Sequence, residues 1–371
     1  MDHFSSVKYR ASALRLALSG IAAMGIMGVQ PASAENGALT VYTESNAAAG
    51  NQLLVFAQGE DGSLALKFAI PTHGVGSGGG LSNEGALAIS PDGSLLFAVN
   101  PGSNTISSFR IGGGTVEFLA TARSGGLTPV SLTVHDDLLY VLNQGSDDIT
   151  GFRVHDNGHL EALAGSTQPL SGAAVGGAQV SFSSGGDFLV ATEKLGNQIG
   201  VFALVGDIAQ PGQFRQSFGP VPFGFAVDRR DRLVVSEAGG SAVTSYDLDT
   251  DNGGLSVISG SVPVNQAAAC WVTETPNGRF AFTGNAGSGS VSAFSIDHAG
   301  RLAELGSTQI SAAAHTTDLA TSSNGKFLFA LDGGIGTING FRVGADGHLE
   351  ALPAMAPSTL VTPAVTGLVV H

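Results

Sequence analysis

The fold is decided by one stretch of sequence, Ala88-Ile-Ser-Pro-Asp-Gly-Ser-Leu-Leu-Phe-Ala-Val-Asn100, which a short polar loop joins to Thr105-Ile-Ser-Ser-Phe-Arg110. It contains three short apolar segments separated by a Pro-Asp-Gly turn and a polar loop, as consecutive antiparallel β-strands do. Residues 138–153 and 327–342 repeat its second half almost residue for residue. The repetition predicts an array of similar structural units.

One aromatic residue recurs in the third segment of each unit. It stands at intervals of 43 to 53 residues, at positions Phe56, Phe109, Phe152, Phe202, Tyr246, Phe294 and Phe341. Periods of roughly 40 to 50 residues, with several short strands in each, are typical of β-propellers. The seven aromatic positions therefore predict an all-β fold, a seven-bladed β-propeller with about four strands in each blade.

The two ends of the chain complement each other. The first unit lacks its first strand, whereas residues 364–370 form an apolar segment that belongs to no complete unit. We expect this C-terminal segment to pair with the first blade and close the ring, because closure leaves no open sheet edge. Residues 35–371 are thus predicted to form a single propeller domain.

Residues 1–34 have the pattern of a secretory signal peptide. Lys8, Arg10 and Arg15 precede an uncharged apolar run over residues 16–29, and Ala32-Ser-Ala34 resembles a cleavage site. The apolar run is short for a membrane span, although an N-terminal membrane anchor is the alternative. We expect a periplasmic or secreted protein that is not inserted in the membrane after cleavage.

Composition restricts the partners. The net charge of −14 argues against nucleic acid and against anionic membrane surfaces. Cys270 is the one cysteine, so no intramolecular disulfide can form. It lies in the apolar run over residues 267–272, which predicts a buried and unreactive thiol. We expect a monomer.

The second strands end in polar residues on the face that also carries the links between blades. These residues are Glu44, Asn100, Asn143, Glu193, Glu237, Asn285 and Asp332. Asn and Asp suit the start of a tight loop, whereas Glu has little preference for turns. A ring of carboxylates at the channel mouth would raise some of their pKa values or bind a cation. The alternative is a solvated acidic rim.

The candidate metal is a divalent cation with oxygen ligands, Ca²⁺ or Mg²⁺. Its predicted ligands come from the second-strand ends and from the link that enters blade 2. They are Glu84, Asn143, Glu193, Glu237 and Asp332. Among the histidines, His73 and His315 fall on links of this same face.

The blade sequence quoted above resembles that of the seven-bladed lactonase-like propellers, which include propeller-type 6-phosphogluconolactonases and carboxymuconate lactonizing enzymes. Enzymes of that family have Gly-Pro-Arg-His at the entry to one blade and Asn-Glu-Leu at the end of its second strand. The matching segments here are Gly176-Gly-Ala-Gln179 and Thr192-Glu-Lys-Leu195. Glu193 matches the acidic residue of the family, whereas Ala178 and Gln179 replace its Arg and His.

The resemblance implies an exported lactone hydrolase, and the missing Arg and His imply a neutral substrate. Glu193 would then be the general base, and Lys194 or His315 would polarise the carbonyl or stabilise the oxyanion. In a second interpretation the propeller has no enzymatic activity and binds a protein or a glycan. Whether the chain is an enzyme is left open by its sequence.

Overall fold

The computed structural model of the chain describes residues 39–353 and 364–371. The predicted signal peptide, residues 1–34, lies outside the described residues. All regular elements in the described ranges are β-strands, and we find there no helix long and apolar enough to cross a membrane. The strands form seven antiparallel sheets, which confirms the predicted seven-bladed propeller.

The first four blades contain the N-terminal half of the chain and the last strand. From the innermost strand outward, they are β30 (Thr366–Val370), β1 (Thr40–Glu44), β2 (Gln52–Gln58) and β3 (Leu64–Pro71); β4 (Leu87–Ile89), β5 (Leu95–Asn100), β6 (Thr105–Gly112) and β7 (Thr115–Arg123); β8 (Pro129–His135), β9 (Leu138–Asn143), β10 (Asp148–Val154), β11 (Leu160–Ala162) and β12 (Gln168–Pro169); and β13 (Gly177–Phe182), β14 (Phe188–Glu193), β15 (Gln198–Val205), β16 (Ile208–Ala209) and β17 (Gln213–Gln216). Blades 3 and 4 thus have a fourth strand split into two short pieces.

The last three blades have four strands each. They are β18 (Pro222–Val227), β19 (Arg232–Glu237), β20 (Ala242–Asp249) and β21 (Gly254–Pro263); β22 (Ala269–Glu274), β23 (Phe280–Asn285), β24 (Ser290–Ile296) and β25 (Leu302–Gln309); and β26 (Thr316–Thr321), β27 (Phe327–Asp332), β28 (Thr337–Val343) and β29 (Leu349–Ala351).

The core is divided among the contacts between neighbouring blades. The seven predicted aromatic residues of the third strands are all at most 3% exposed. Buried apolar residues form seven clusters in the described chain, one for each pair of adjacent blades. One of them joins Val41 and Phe56 of blade 1 to Phe329 and Leu331 of blade 7. An apolar interface therefore lies between every pair of neighbouring blades around the ring.

The C-terminal strand closes the ring as predicted. β30 pairs antiparallel with β1, with Val41 opposite Val370 and Thr43 opposite Leu368. The N–H group of Thr40 donates to the carbonyl of His371 at 2.8 Å. The innermost strands contact one another in a complete circle, since β30 contacts both β4 and β26.

Candidate functional site

The link that enters blade 2 passes through the centre of the ring. We call residues 82–85 the channel segment. Asn83 is 2% exposed, and its side chain donates to the carbonyl of Val130 in blade 3 and accepts from Thr366 Oγ1 in blade 1 at 3.1 Å. Its own carbonyl accepts from the indole Nε1 of Trp271 in blade 6 at 2.7 Å. A segment that contacts the first strands of three separate blades must lie inside the channel.

The next two residues add a contact to blade 4 and further contacts to blades 3 and 6. The N–H group of Glu84 donates to Ala178 O in blade 4 at 3.1 Å, and its carboxylate accepts from the N–H group of Val272 at 3.1 Å. Gly85 O accepts from Leu132 N at 2.8 Å. The link is therefore held by backbone N–H and C=O groups of the first strands. In an open channel these groups would have to bind water instead.

Close packing around the Glu84 carboxylate depends on one glycine. A Cβ atom at Gly224, in the first strand of blade 5, would lie 1.7 Å from Glu84 Oε2. Any side chain there would displace the carboxylate. The Glu84 carboxylate can therefore occupy this position because Gly224 has no side chain.

A second buried carboxyl lies near Glu84, on the first strand of blade 7. Asp318 is 2% exposed; its Oδ1 accepts from Leu319 N at 2.7 Å, and its Oδ2 has no hydrogen-bond partner among the described residues. Burial raises the pKa of Asp318 to about 8, although nearby backbone N–H groups oppose the increase. Burial also raises the pKa of Glu84 well above its usual range, and repulsion by Asp318 adds to this effect. Burial therefore favours the neutral, protonated form of both carboxyls.

Lys194 lies beside the channel segment. Its ammonium group donates to the carbonyl of Ser82 in the channel segment and lies 5.1 Å from the centroid of the Phe223 ring, in cation–π geometry. Burial lowers the pKa of Lys194 to about 8. The side chain is only half-buried, so its ammonium group can meet a ligand.

Cys270, in the first strand of blade 6, lies near Glu84 and Lys194. Its side chain is buried, and burial raises the pKa of the thiol to about 12, with a smaller increase from Glu84 and a decrease from Lys194. The prediction that this thiol is buried is confirmed. A thiol with so high a pKa is not a nucleophile at neutral pH.

The other two predicted catalytic residues make no hydrogen bond to the channel segment in the described chain. Glu193 is fully buried, and its carboxylate accepts from Ser171 N at 2.9 Å and from Ser171 Oγ. His315 is exposed in the link that enters blade 7, where Nδ1 lies 3.1 Å from Ala286 O. No hydrogen bond joins Glu193, Lys194 and His315 to one another in the described chain, and their catalytic roles stay predictions.

The predicted metal ligands are not brought together. Glu237 accepts from Gly219 N at 2.7 Å and from the hydroxyl groups of Thr244 and Ser261, both at 2.5 Å. Thr244 and Ser261 belong to the third and fourth strands of the same blade, so the Glu237 carboxylate connects strands within the blade.

Asn143 and Asp332 also bind groups of the loops and strands beside them. Asn143 Nδ2 donates to Asp148 Oδ1 at 2.8 Å, and Asp332 Oδ1 accepts from the N–H groups of His315 and Gly334 at 2.8 and 2.9 Å. Glu84 alone of the predicted ligands lies in the channel. In the part of the chain that the structure describes, we find no group of three His, Cys, Asp or Glu side chains able to hold a metal ion.

Sequence reasoning missed Asp318 and the path of the channel segment. Asp318 stands in Thr316-Thr-Asp-Leu-Ala-Thr321, where an acidic residue occurs at an inner position of a first strand. A charge at a position that the strand pattern assigns to the interior is the signal that identifies it. For Asn83, nothing in the local sequence distinguishes a link that enters the channel from one that crosses the surface.

A family model described as "Lactonase, 7-bladed beta-propeller" matches residues 49–175, 166–272 and 236–363. The chain belongs to this lactonase family. No curated protein matches the chain.

Solved structures similar to this lactonase-family propeller span almost its whole length. A candidate 6-phosphogluconolactonase from Bacteroides fragilis NCTC 9343 has a TM-score of 0.73 and 19% identity, over 92% of this chain and 100% of that one. A periplasmic gluconolactonase from Pseudomonas aeruginosa has a TM-score of 0.67 and 18% identity, over 89% and 98%. At these identities the structural likeness supports the fold and leaves the substrate open.

Proposed function

We propose that this propeller is an exported hydrolase of a small neutral lactone, which binds on the linking face above the channel segment. The observation that carries the proposal is Lys194. Its half-buried ammonium group is held on the Ser82 carbonyl of the channel segment, two residues before the buried carboxyl of Glu84. Family membership supports the same reaction.

The reaction needs stabilisation of a developing negative charge. When water attacks the lactone carbonyl, the oxygen becomes an oxyanion, which the Lys194 ammonium group would stabilise by charge and hydrogen bonding. Collapse of this intermediate breaks the ring C–O bond, and the ring oxygen takes up the proton that the base removed from the attacking water, which gives a hydroxy acid. With its pKa lowered to about 8, Lys194 is mostly charged at pH 7, so it can act in this role.

Glu193 is our candidate for the base, acting through Ser171. Its carboxylate is fully buried, whereas Ser171 is partly exposed and donates its hydroxyl proton to Glu193. The Ser171 oxygen would accept a proton from the attacking water while its own proton passes to the carboxylate. We assign no catalytic role to His315, which contacts blade 6 instead of this group.

A neutral substrate fits the groups around the channel. Ala178 and Gln179 stand where the family has Arg and His, and the Gln179 side chain is bound to the backbone of Phe225, at 2.6 and 2.9 Å. Leu195 and Leu127 of the linking face are 77% and 53% exposed. The chain carries a net charge of −14, which opposes the approach of a phosphorylated lactone.

The test is the turnover of a panel of neutral γ- and δ-lactones by the wild type, Lys194→Met and Lys326→Met. Lys326 is an exposed lysine of a first-to-second-strand turn and serves as the matched control. We expect Lys194→Met to lower kcat/KM by about 100-fold or more, as removal of an oxyanion donor does. Lys326→Met should have no effect. Equal turnover by Lys194→Met and the wild type would refute the role of Lys194.

The pH profile gives a second measurement. Because the charged form of Lys194 is the active one, kcat/KM should fall as the pH rises through about 8. Lys194→Arg, which keeps its charge, should move this decline to higher pH.

The alternative is a binding propeller without enzymatic activity. It is favoured by the use of Glu237, Asn143 and Asp332 to hold loops and strands, which leaves these side chains little part in chemistry. The exposed Leu195 and Leu127 would then contact a protein or glycan partner. No turnover of any lactone by the wild type, together with binding on a glycan array, would support this function.

A further inference from the structure

A large cavity lies between blades 5 and 6, on the face opposite the links. We call it the turn-face cavity. It has a volume of about 790 Å³ and is lined by the first-to-second-strand turns of both blades and by the end of β24. Cavities of roughly 300–1,000 Å³ are the size that small-molecule ligands occupy.

The turn-face cavity is rich in arginine. Four arginines line it, in a chain where 30 acidic residues outnumber 16 basic ones. They are Arg229, Arg230, Arg232 and Arg279. Such a concentration of positive charge in an acidic protein is a local feature that net charge does not explain.

One of these arginines forms the rigid wall of the cavity. Arg232 Nε and Nη2 donate to Asp228 Oδ2 at 2.8 and 2.5 Å, and both side chains are nearly buried, at 11% and 7% exposure. Arg232 Nη1 also donates to the carbonyl of His298, across the boundary between the blades, at 3.2 Å. Two nitrogens of the guanidinium thus hold one carboxylate while a third joins blade 5 to blade 6.

The carboxylates of the cavity are already occupied. Besides Arg232, Asp228 binds the N–H group of Arg230 at 2.7 Å through Oδ1. Asp297 Oδ1 accepts from the N–H groups of Ala299 and Arg301, both at 2.8 Å. These acids hold their own turns and leave the other arginines without a carboxylate.

The remaining three arginines are exposed and available. Within the described ranges, Arg229, Arg230 and Arg279 form no ion pair. Arg230 Nη1 donates only to the carbonyl of His298, at 3.3 Å, and the Arg279 guanidinium lies 5.1 Å from the centroid of the Phe280 ring. Stacking of this kind fixes a guanidinium while leaving its N–H groups free to bind an anion.

Glu274 supplies a different group. Its side chain is half-buried in the cavity and makes no hydrogen bond to the described residues. Burial raises its pKa to about 8, with repulsion from Asp228 adding and attraction to Arg232 opposing. At neutral pH it is therefore mainly a neutral carboxyl that can donate a hydrogen bond, so it does not repel an anion.

We propose that the turn-face cavity binds a small molecule carrying a carboxylate or a phosphate group, with the anionic group on Arg229, Arg230 and Arg279. Glu274 then donates its hydroxyl to an oxygen of the ligand. Guanidinium groups form paired hydrogen bonds with carboxylates and with phosphates, so the same three arginines could bind either group. The site is independent of the linking face and of the proposed hydrolysis.

Calorimetric titration of the full chain at pH 7 and low ionic strength tests the proposal. The probes are inorganic phosphate, gluconate, and glucose as the neutral control. We expect saturable binding of one equivalent of phosphate or gluconate and none of glucose. Binding of phosphate alone identifies a phosphate-bearing ligand, and binding of gluconate alone identifies a carboxylate. Both results support the site, whereas binding of neither anion overturns it.

Two cavity variants and one matched control locate the bound anion. Arg279→Ala removes one cavity arginine and should weaken binding by about fivefold, the range for one exposed charge contact. Arg342→Ala is the control, because Arg342 is also exposed and stacks on Phe327 in the same way, at 5.3 Å. Arg230→Ala should weaken binding as Arg279→Ala does. Equal affinity for all three variants and the wild type would place the anion elsewhere and refute the assignment.

Discussion

Replacing Asp318 by Asn should stabilise the propeller at alkaline pH. Asp318 is buried in the channel beside Glu84, and burial raises its pKa from 3.8 to about 8. The folded state therefore holds this proton more tightly than the unfolded state does. Its contribution to the free energy of unfolding is full below about pH 4 and is lost as the pH rises towards 8.

The size of the effect follows from the difference between the two pKa values. One pH unit in this window corresponds to about 1.4 kcal/mol for one group. Between pH 5 and pH 8 the wild type should lose at most about 4 kcal/mol through Asp318. Coupling to Glu84 and local relaxation reduce this figure, so we expect about 2 kcal/mol. Asn carries no charge at any of these pH values and removes that loss.

Urea unfolding of the wild type and Asp318→Asn at pH 5 and pH 8 measures the effect. The fluorescence of Trp271, the one tryptophan of the chain, reports directly on the channel segment because its indole donates to Asn83 O. Glu44 and Glu274 also have raised pKa values and contribute to the slope in both proteins, so the difference between the two is the quantity of interest.

The control is Asp346→Asn, which changes an exposed carboxyl whose pKa is lowered, chiefly by the N–H group of His348. This variant should keep the pH dependence of the wild type. The same loss of stability in Asp318→Asn and the wild type would show that Asp318 is ionised in the folded state and would refute the reasoning.

Three further predictions concern closure, the thiol and the second-strand ends. Deletion of residues 364–371 removes β30 and should abolish the cooperative thermal transition seen by circular dichroism; unchanged melting would contradict closure by this strand. Cys270 should not react with a thiol reagent at pH 8 in the native protein and should react fully in urea, because it is buried with a pKa of about 12. Glu237→Gln should lower the free energy of unfolding by about 1–3 kcal/mol through weakened hydrogen bonds, whereas the exposed Glu350→Gln should not; equal stability of the two variants would contradict the role of Glu237.

The repeating parts of the fold could be predicted from the sequence because each blade uses the same local physics. The same pattern recurs seven times: alternating apolar residues, a turn residue and one buried aromatic. Phe56 and its counterparts therefore identify the third strand of each blade correctly. The C-terminal segment predicted the closure because the first blade lacks its first strand and this segment is the one apolar strand left unassigned. Apart from this closure, the interactions that define the blades occur at fixed sequence distances within the repeat.

Only part of the candidate site could be predicted, because the site depends on one link that departs from the repeat. The contacts of Asn83 and Glu84 reach residues up to 283 positions away, in first strands of several blades. Glu84 was picked out as an acidic residue near the channel, but its partner Asp318 was not. The second-strand ends were correctly placed on strands, and their hydrogen bonds to loops depend on side-chain directions that residue spacing does not give.

The buried carboxyl pair itself argues for a function of the channel. Glu84 accepts a hydrogen bond from Val272 N, and Asp318 accepts one from Leu319 N. Amide oxygens of Gln and Asn could accept both bonds without the cost of ionisation at neutral and alkaline pH. If the pair served only to hold the channel segment, amides would do so at lower cost. Two neighbouring buried carboxyls with raised pKa values, in and beside the channel segment that Lys194 binds, are instead typical of a functional site. Asp318→Asn should therefore be more stable than the wild type and less active on lactones. If the variant gained stability and kept its activity, the carboxyl pair would have only a structural role.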